Sequence, residues 1–246
     1  MAWFNEDNPS TLNFMVVGPS CSGYGLLQSA LNAHTQIVCH GDVLHPNSVI
    51  RKAEHEKYFG ESGKIPDWFV QNHISVEQYL NNKIFDNTLN GEKAVGVKVN
   101  YQYFPDYDLW DYTNQKYRKG DFCLVHVTRN PVACYVALKK REKRATTLFV
   151  DPAELTSFVR FQEAMQKKIN TVSSDRIIIP FHEFVLGYKR VMTKLFDYLE
   201  LSYESCIPEA PIVTKSDSLR GISNLKELRM LLPMDVKAYL DAPNLF

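Results

Sequence analysis

The feature that most constrains this chain lies near its start, where an apolar run, residues 12–17, stops at Gly18 and an amphipathic helical pattern opens at Gly23. The turn between them reads Gly18-Pro19-Ser20-Cys21-Ser22-Gly23-Tyr24-Gly25, and Leu26, Leu27, Ala30 and Leu31 then fall on one helical face. A strand, a glycine-rich turn and a helix in immediate succession aim backbone N–H groups and the positive end of the helix dipole at one point, which makes a cradle for an anion. The first strand of an open α/β sheet ends at the ligand crevice, so a nucleotide phosphate is the expected guest. A plain strand–helix turn, in which glycine only relieves backbone strain, is the alternative reading of the same residues.

Further apolar, β-branched runs at 36–40, 94–100, 122–128 and 176–181 lack polar alternation and read as strands buried on both faces. Helical patterns separate them. Asn130 before Pro131 caps a helix over 132–144, Asp151, Pro152 and Glu154 open another, and 183–201 continues the series. Strand then helix, repeated, predicts right-handed parallel crossovers and an α/β fold, a three-layer α/β/α sandwich with a mainly parallel central sheet. The loop-like stretches 59–65 and 206–218 are too short for linkers, so one domain over 1–246 is expected.

With 28 basic against 28 acidic residues the chain has no net charge, and the broad positive field of a non-specific nucleic-acid binder is absent. The five cysteines (Cys21, Cys39, Cys123, Cys134, Cys206) are odd in number and form no C-x-x-C pair, which argues against a disulfide framework or structural zinc and for a reducing, cytoplasmic setting. No apolar stretch reaches the roughly 18 residues of a membrane helix, and residues 1–10 lack the pattern of a secretion signal, so a soluble, uncleaved chain is expected.

Gly18 to Gly23 has the spacing of a Walker A loop, but Tyr24 stands where its lysine belongs, which disfavours ATP or GTP with magnesium. The spacing G-x-x-x-S-G-x-x-L-L resembles instead the phosphosulfate loop of sulfotransferases that use 3′-phosphoadenosine-5′-phosphosulfate (PAPS), in their carbohydrate-type and bacterial branch. Five later segments continue the resemblance in order. Residues 40–46, His-Gly-Asp-Val-Leu-His-Pro, look like the segment whose acidic residue deprotonates the acceptor, and 94–101 resemble the G-x-K strand. Residues 125–131, Val-His-Val-Thr-Arg-Asn-Pro, are similar to the strand that binds the 3′-phosphate; 176–184 resemble the late R-x-x-x-x-x-Y-E-D-L segment, and 219–228 the loop that closes over the nucleotide.

The resemblance implies a P-loop nucleotide-binding fold and transfer of a sulfuryl group from PAPS, without a metal, to a hydroxyl of a sugar, lipid or other small molecule, leaving adenosine 3′,5′-bisphosphate. It implies that residues 18–25 (Gly18, Pro19, Ser20, Cys21, Ser22, Gly23, Tyr24, Gly25) cradle the 5′-phosphosulfate, that Arg129 binds the 3′-phosphate, that Asp42 is the base, and that Lys98 or Arg220 stabilises the departing charge. Arg129 also stands on its own logic, because an arginine at the carboxyl end of an apolar strand projects its planar fork into the crevice.

The chain departs from the family pattern at Cys21, where a basic residue is usual, and at Ala137, where a serine helps hold the 3′-phosphate. Loss of a preorganised donor at a developing charge costs roughly 3 kcal/mol, and one hydrogen bond to a charged group about 1.5–3 kcal/mol. Lys139, Lys140 and Arg141 follow on the same helix, a run that reads equally as a solvated face. His40 and His45 flank Asp42 without a third metal ligand, so a histidine orienting the carboxylate is expected instead. Tyr103, Phe104, Tyr107, Trp110 and Tyr112 serve either as core or as the floor of a sugar cleft. Two other functions fit the residues: a nucleotide- or anion-binding module without turnover, and a kinase with a degenerate loop.

Overall fold

A computed structural model describes residues 11–44, 76–85, 91–106, 109–118, 122–172, 176–204, 219 and 221–242. His45, Tyr107, Cys206, Arg220 and the stretches 59–65 and 206–218 lie outside the described residues.

Five strands, β1 (Leu12–Gly18), β2 (Ile37–His40), β3 (Ala94–Asn100), β4 (Phe122–Thr128) and β5 (Ile177–Pro180), form one sheet in the order β2-β3-β1-β4-β5. Every pair is parallel. Among the described residues ten helices accompany them: α1 (Tyr24–Leu31), α2 (Val76–Tyr79), α3 (Tyr103–Asp106), α4 (Leu109–Arg118), α5 (Pro131–Lys143), α6 (Pro152–Val172), α7 (Phe181–Leu186), α8 (Tyr188–Tyr198), α9 (Leu225–Leu231) and α10 (Met234–Asp241). A π-helical turn, Leu80–Phe85, continues α2.

Alternation along β1 explains the layers. Phe14 and Val16 pack with Leu27 and Leu31 of α1 and with Phe184, Leu195 and Phe196 of α7 and α8. Met15 and Val17 face the other way, onto Val95, Val97, Leu109, Met165 and Ile169. Both faces are covered, which is why the strands read as continuous apolar runs rather than alternating ones. A third cluster joins α5 and α6 to α9 and α10 through Val132, Tyr135, Val136, Leu155, Leu228 and Val236.

The caps form as the sequence predicts. Asn130 Oδ1 accepts from the N–H groups of Val132 and Ala133 at 2.9 and 3.2 Å, with Pro131 as the first helical residue. The Glu154 N–H donates to Asp151 Oδ1 at 2.8 Å at the start of α6. Two details differ. The helix expected over 183–201 divides at Gly187, whose N–H closes α7 on the Glu183 carbonyl at 2.8 Å while its own carbonyl receives Val191 N–H to open α8. On α1 the buried stripe is Tyr24, Leu27, Ala30 and Leu31, and Leu26 is exposed, because Tyr24 completes the i, i+3, i+7 row that meets the sheet.

Tyr103, Phe104, Trp110 and Tyr112 are core residues, with Trp110 tilted against Phe104 and capped by Lys168 Nζ 4.1 Å from its ring centre. The free cysteines among the described residues are Cys21, Cys39, Cys123 and Cys134. No helix there is long and apolar enough to cross a membrane, and no cluster of three or more His, Cys, Asp or Glu side chains there is arranged for a metal ion.

Candidate functional site

The carboxyl ends of β1, β2, β3 and β4 line up, and the sheet order puts β1 between β3 and β4, the switch point outside which open α/β sheets bind their ligands. Gly18 is level with Asn100, and Val17 with His126. The turn after β1 therefore has a neighbour from each side.

The turn is built by close approach. A Cβ on Gly18 would sit 2.8 Å from Ser22 Oγ and 2.9 Å from the Val127 carbonyl, so only glycine lets the chain bend that tightly beside β4. Pro19 accepts Ser22 N–H at 3.1 Å, and Cys21 follows a left-handed path with φ 62°. Gly23 is left-handed as well, φ 91°, and a Cβ there would collide with the Phe181 ring. Phe181 is the wedge that fixes where α1 begins. The helix starts with no side-chain cap and no acidic residue in its first turn, so no side chain offsets its dipole there, and the Leu26 and Leu27 N–H groups turn back onto the Gly23 carbonyl at 2.9 and 3.1 Å. Ser22 is fully buried, and its Oγ accepts or donates no hydrogen bond among the described residues.

On the β4 side Arg129 reaches back over the turn. Its Nη1 donates to the Cys21 carbonyl at 2.7 Å, and its guanidinium lies 4.5 Å from the centre of the Phe181 ring. Burial lowers its pKa while the nearby Cys134 and Cys21 thiols act the other way. Burial likewise raises Cys21, with Arg141 and Arg129 opposing it.

On the β3 side Lys98 Nζ lies 2.9 Å from Asp42 Oδ2 and 4.8 Å from the centre of the Tyr24 ring. The lysine side chain is only 12% exposed. Asp42 Oδ1 is shielded and accepts no hydrogen bond among the described residues. Lys98, not His40, is thus the partner that orients Asp42 there, and burial keeps His40 below the ordinary histidine range. Asn32 and Gln28 of α1 clasp the end of β2: both side-chain amides donate to the Cys39 carbonyl, at 2.9 and 3.0 Å, and Asn32 Oδ1 accepts Cys39 N–H at 2.6 Å.

Asn100 joins the two parts. Its Nδ2 donates to Ser20 Oγ and, at 3.3 Å, to the Tyr24 hydroxyl, while its Oδ1 accepts Gln102 N–H. The sequence reading did not single it out; its signal was a polar amide closing an otherwise apolar strand. Beneath the turn, Tyr101 N–H donates to the Gly18 carbonyl at 3.2 Å, and its hydroxyl shares a hydrogen bond with His126 Nε2 of β4. Burial holds His126 down at about 4, helped by the Arg176 charge.

The structure thus brings together Gly18 to Gly25, Asp42, Lys98 and Arg129. Gly221 and Ile222, which follow Arg220, pair with the stretch after α5: Leu148 N–H donates to the Gly221 carbonyl at 2.6 Å and Ser223 N–H to the Leu148 carbonyl at 2.8 Å.

A comparison with solved structures gives the fold a name. The sulfotransferase of Alicyclobacillus acidocaldarius superposes with a TM-score of 0.54 at 19% identity, covering 94% of each chain. This chain has the sulfotransferase fold. The sulfotransferase domain of the Synechococcus PCC 7002 olefin synthase aligns over 100% of this chain and 88% of its own at 15% identity, with a TM-score of 0.46. No protein-family model matches the sequence, and no curated protein matches it either. This chain and the Alicyclobacillus acidocaldarius sulfotransferase share this fold with fewer than one residue in five identical.

Proposed function

We propose that the chain is a sulfotransferase that moves a sulfuryl group from PAPS to a hydroxyl of a small-molecule acceptor. The observation that carries this reading is the uncapped start of α1 with Arg129 bonded to the turn on one side and an Asp42–Lys98 pair on the other. The turn suits an anion: no side chain caps the start of α1, Ser22 Oγ lacks a partner among the described residues, and a Cβ would fill the space beside Gly18. PAPS, when bound, supplies an electrophilic sulfur and a stable leaving group, adenosine 3′,5′-bisphosphate.

The residues then divide the work. The turn from Gly18 to Gly25 receives the 5′ end through backbone N–H groups, and the Arg129 fork takes the 3′-phosphate. Asp42 Oδ2 is held by Lys98, and Oδ1, though shielded, carries no hydrogen bond among the described residues, so Oδ1 is the oxygen left to take the acceptor proton. As the acceptor oxygen bonds to sulfur and the bridging sulfur–oxygen bond breaks, the hydroxyl proton passes to Asp42. Lys98, stacked on Tyr24 beside the turn, offers its charge to the oxygen that departs with the nucleotide. Tyr24 fills the Walker lysine position with a ring, and the neighbouring strand provides the ammonium instead.

Cys21 favours a second reading, a nucleotide-binding module without turnover, because a thiol that burial keeps neutral stands where the family has a cation. Titration of thermal stability separates the possibilities. Adenosine 3′,5′-bisphosphate should raise the melting temperature by mass action under both readings, and ATP with magnesium should not. Transfer of labelled sulfate from PAPS to a panel of hydroxylated acceptors then tells enzyme from binder. Stabilisation by ATP–magnesium alone would refute both.

A further inference from the structure

The nucleotide reading leaves the 3′-phosphate short of one donor, since α5 carries only the methyl of Ala137 where the family pattern has a hydroxyl. Three basic residues follow it, and the structure tells them apart. Lys139 Nζ lies 2.6 Å from Glu154 Oε1 and 3.3 Å from Glu142 Oε2, so its charge is committed to the seam between α5 and α6. The Lys140 amine lodges against Gly221, close enough that a Cβ there would strike it. Arg141 is exposed and makes no hydrogen bond or ion pair among the described residues.

Helical geometry says which way Arg141 looks. At about 100° per residue, Val132, Tyr135, Val136 and Lys139 form the stripe packed on α6 and the C-terminal helices. Cys134, Ala137 and Arg141 fall on the opposite stripe, at i, i+3 and i+7. Cys134 is completely buried at its base, just beyond Arg129 and the cap at Asn130. The Cys21 thiol, whose pKa burial raises, is pulled back first by Arg141 and then by Arg129, so this stripe overlooks the turn that Arg129 ties down. Ala137 lies between Cys134 and Arg141 on this stripe.

We propose that Arg141 is a second guanidinium of the nucleotide site and that it closes on the 3′-phosphate from the stripe where Ala137 has no donor to give. This rests on the nucleotide reading above. A planar fork can grip two phosphate oxygens at once, which a serine hydroxyl cannot, and no carboxylate among the described residues competes for it. Arg141 is then a specificity residue: it separates a 3′,5′-bisphosphate from a plain 5′-phosphate.

Calorimetric titration of the full chain with adenosine 3′,5′-bisphosphate and with adenosine 5′-phosphate tests this. Arg141→Gln should weaken the bisphosphate by roughly tenfold to a hundredfold, the range of a lost hydrogen bond to a charged group, while changing the 5′-phosphate by less than about twofold. Lys143→Gln removes the same charge from an exposed site on the same helix and should leave both affinities within about twofold. Arg141→Lys should fall between wild type and Arg141→Gln, and adding Ala137→Ser to Arg141→Gln should restore part of the loss. Equal losses for both nucleotides, or identical behaviour of Arg141→Gln and Lys143→Gln, would overturn the proposal. A wild-type chain that binds neither nucleotide, or binds both equally, would refute the nucleotide reading itself and the proposal with it; a wild type that prefers the bisphosphate and keeps that preference in Arg141→Gln refutes the proposal alone.

Discussion

The two flanks of the turn each carry a cation, and they hold it differently. On the β3 flank Lys98 is paired with a carboxylate at 2.9 Å and stacked on a tyrosine ring. On the β4 flank Arg129 is fastened to a backbone carbonyl at 2.7 Å and to a phenylalanine ring. A cation beside a carboxylate belongs to a pair that can take up and pass on a proton. A guanidinium tied to the main chain of the turn has a fixed charge and a fixed place, which suits recognition rather than proton traffic. Under the proposed function, proton handling and phosphate holding fall on opposite sides of β1.

The sharpest way to break that division is Asp42→Asn. Under the proposed function it removes the proton acceptor alone, so transfer should fall by about 10²–10⁴-fold while the affinity for adenosine 3′,5′-bisphosphate changes by less than about twofold in a titration. A comparable loss of nucleotide affinity would show that the flanks are not separate. The converse is Arg129→Gln, expected to weaken the bisphosphate by roughly tenfold to a hundredfold and to loosen the turn whose Cys21 carbonyl it holds. Retention of full affinity in the same titration would remove Arg129 from the site.

Next comes the seam between the flanks, where Tyr101 and His126 meet under the turn. His126 is buried with a pKa near 4, against 6.5 for the free side chain, so folding favours its neutral form. A lowered folded-state value means that the contribution is fully present above pH 6.5 and is lost as the pH falls towards 4. The shift corresponds to about 3 kcal/mol. Urea midpoints measured between pH 7 and 4 should fall accordingly, and His126→Gln should flatten the dependence from a lower starting stability; a wild type with no slope in that window would contradict the assignment. The smallest expected effect is that of Gly23→Ala, which meets both the left-handed backbone and the Phe181 ring. It should destabilise the fold by about 1–3 kcal/mol, read as a drop in the denaturation midpoint.

Much of this was legible in the sequence because it is local. The apolar run to Gly18, the Asn130-Pro131 cap and the strand-end positions of Asp42, Lys98 and Arg129 all follow from residues a few places apart. What stayed hidden depends on partners distant along the chain. Phe181 looks like the last residue of a strand, yet it begins α7 and wedges against Gly23. Asn100 looks like a strand end, yet it links Ser20 to Tyr24. The basic run after Ala137 looks uniform until the packing of α5 on α6 commits Lys139 and turns Arg141 the other way. Local pattern shows where a side chain emerges, and only the sheet order shows what it meets there.

The clasp of Gln28 and Asn32 on Cys39 has a consequence for Asp42. The helix whose front edge addresses the anion also fixes, by its flank, the strand from which the carboxylate hangs. Where a longer acid would span the distance with its own side chain, this chain sets its aspartate by the anchorage of the backbone three residues earlier. Shortening or removing those amides would therefore alter reach at a position they never touch.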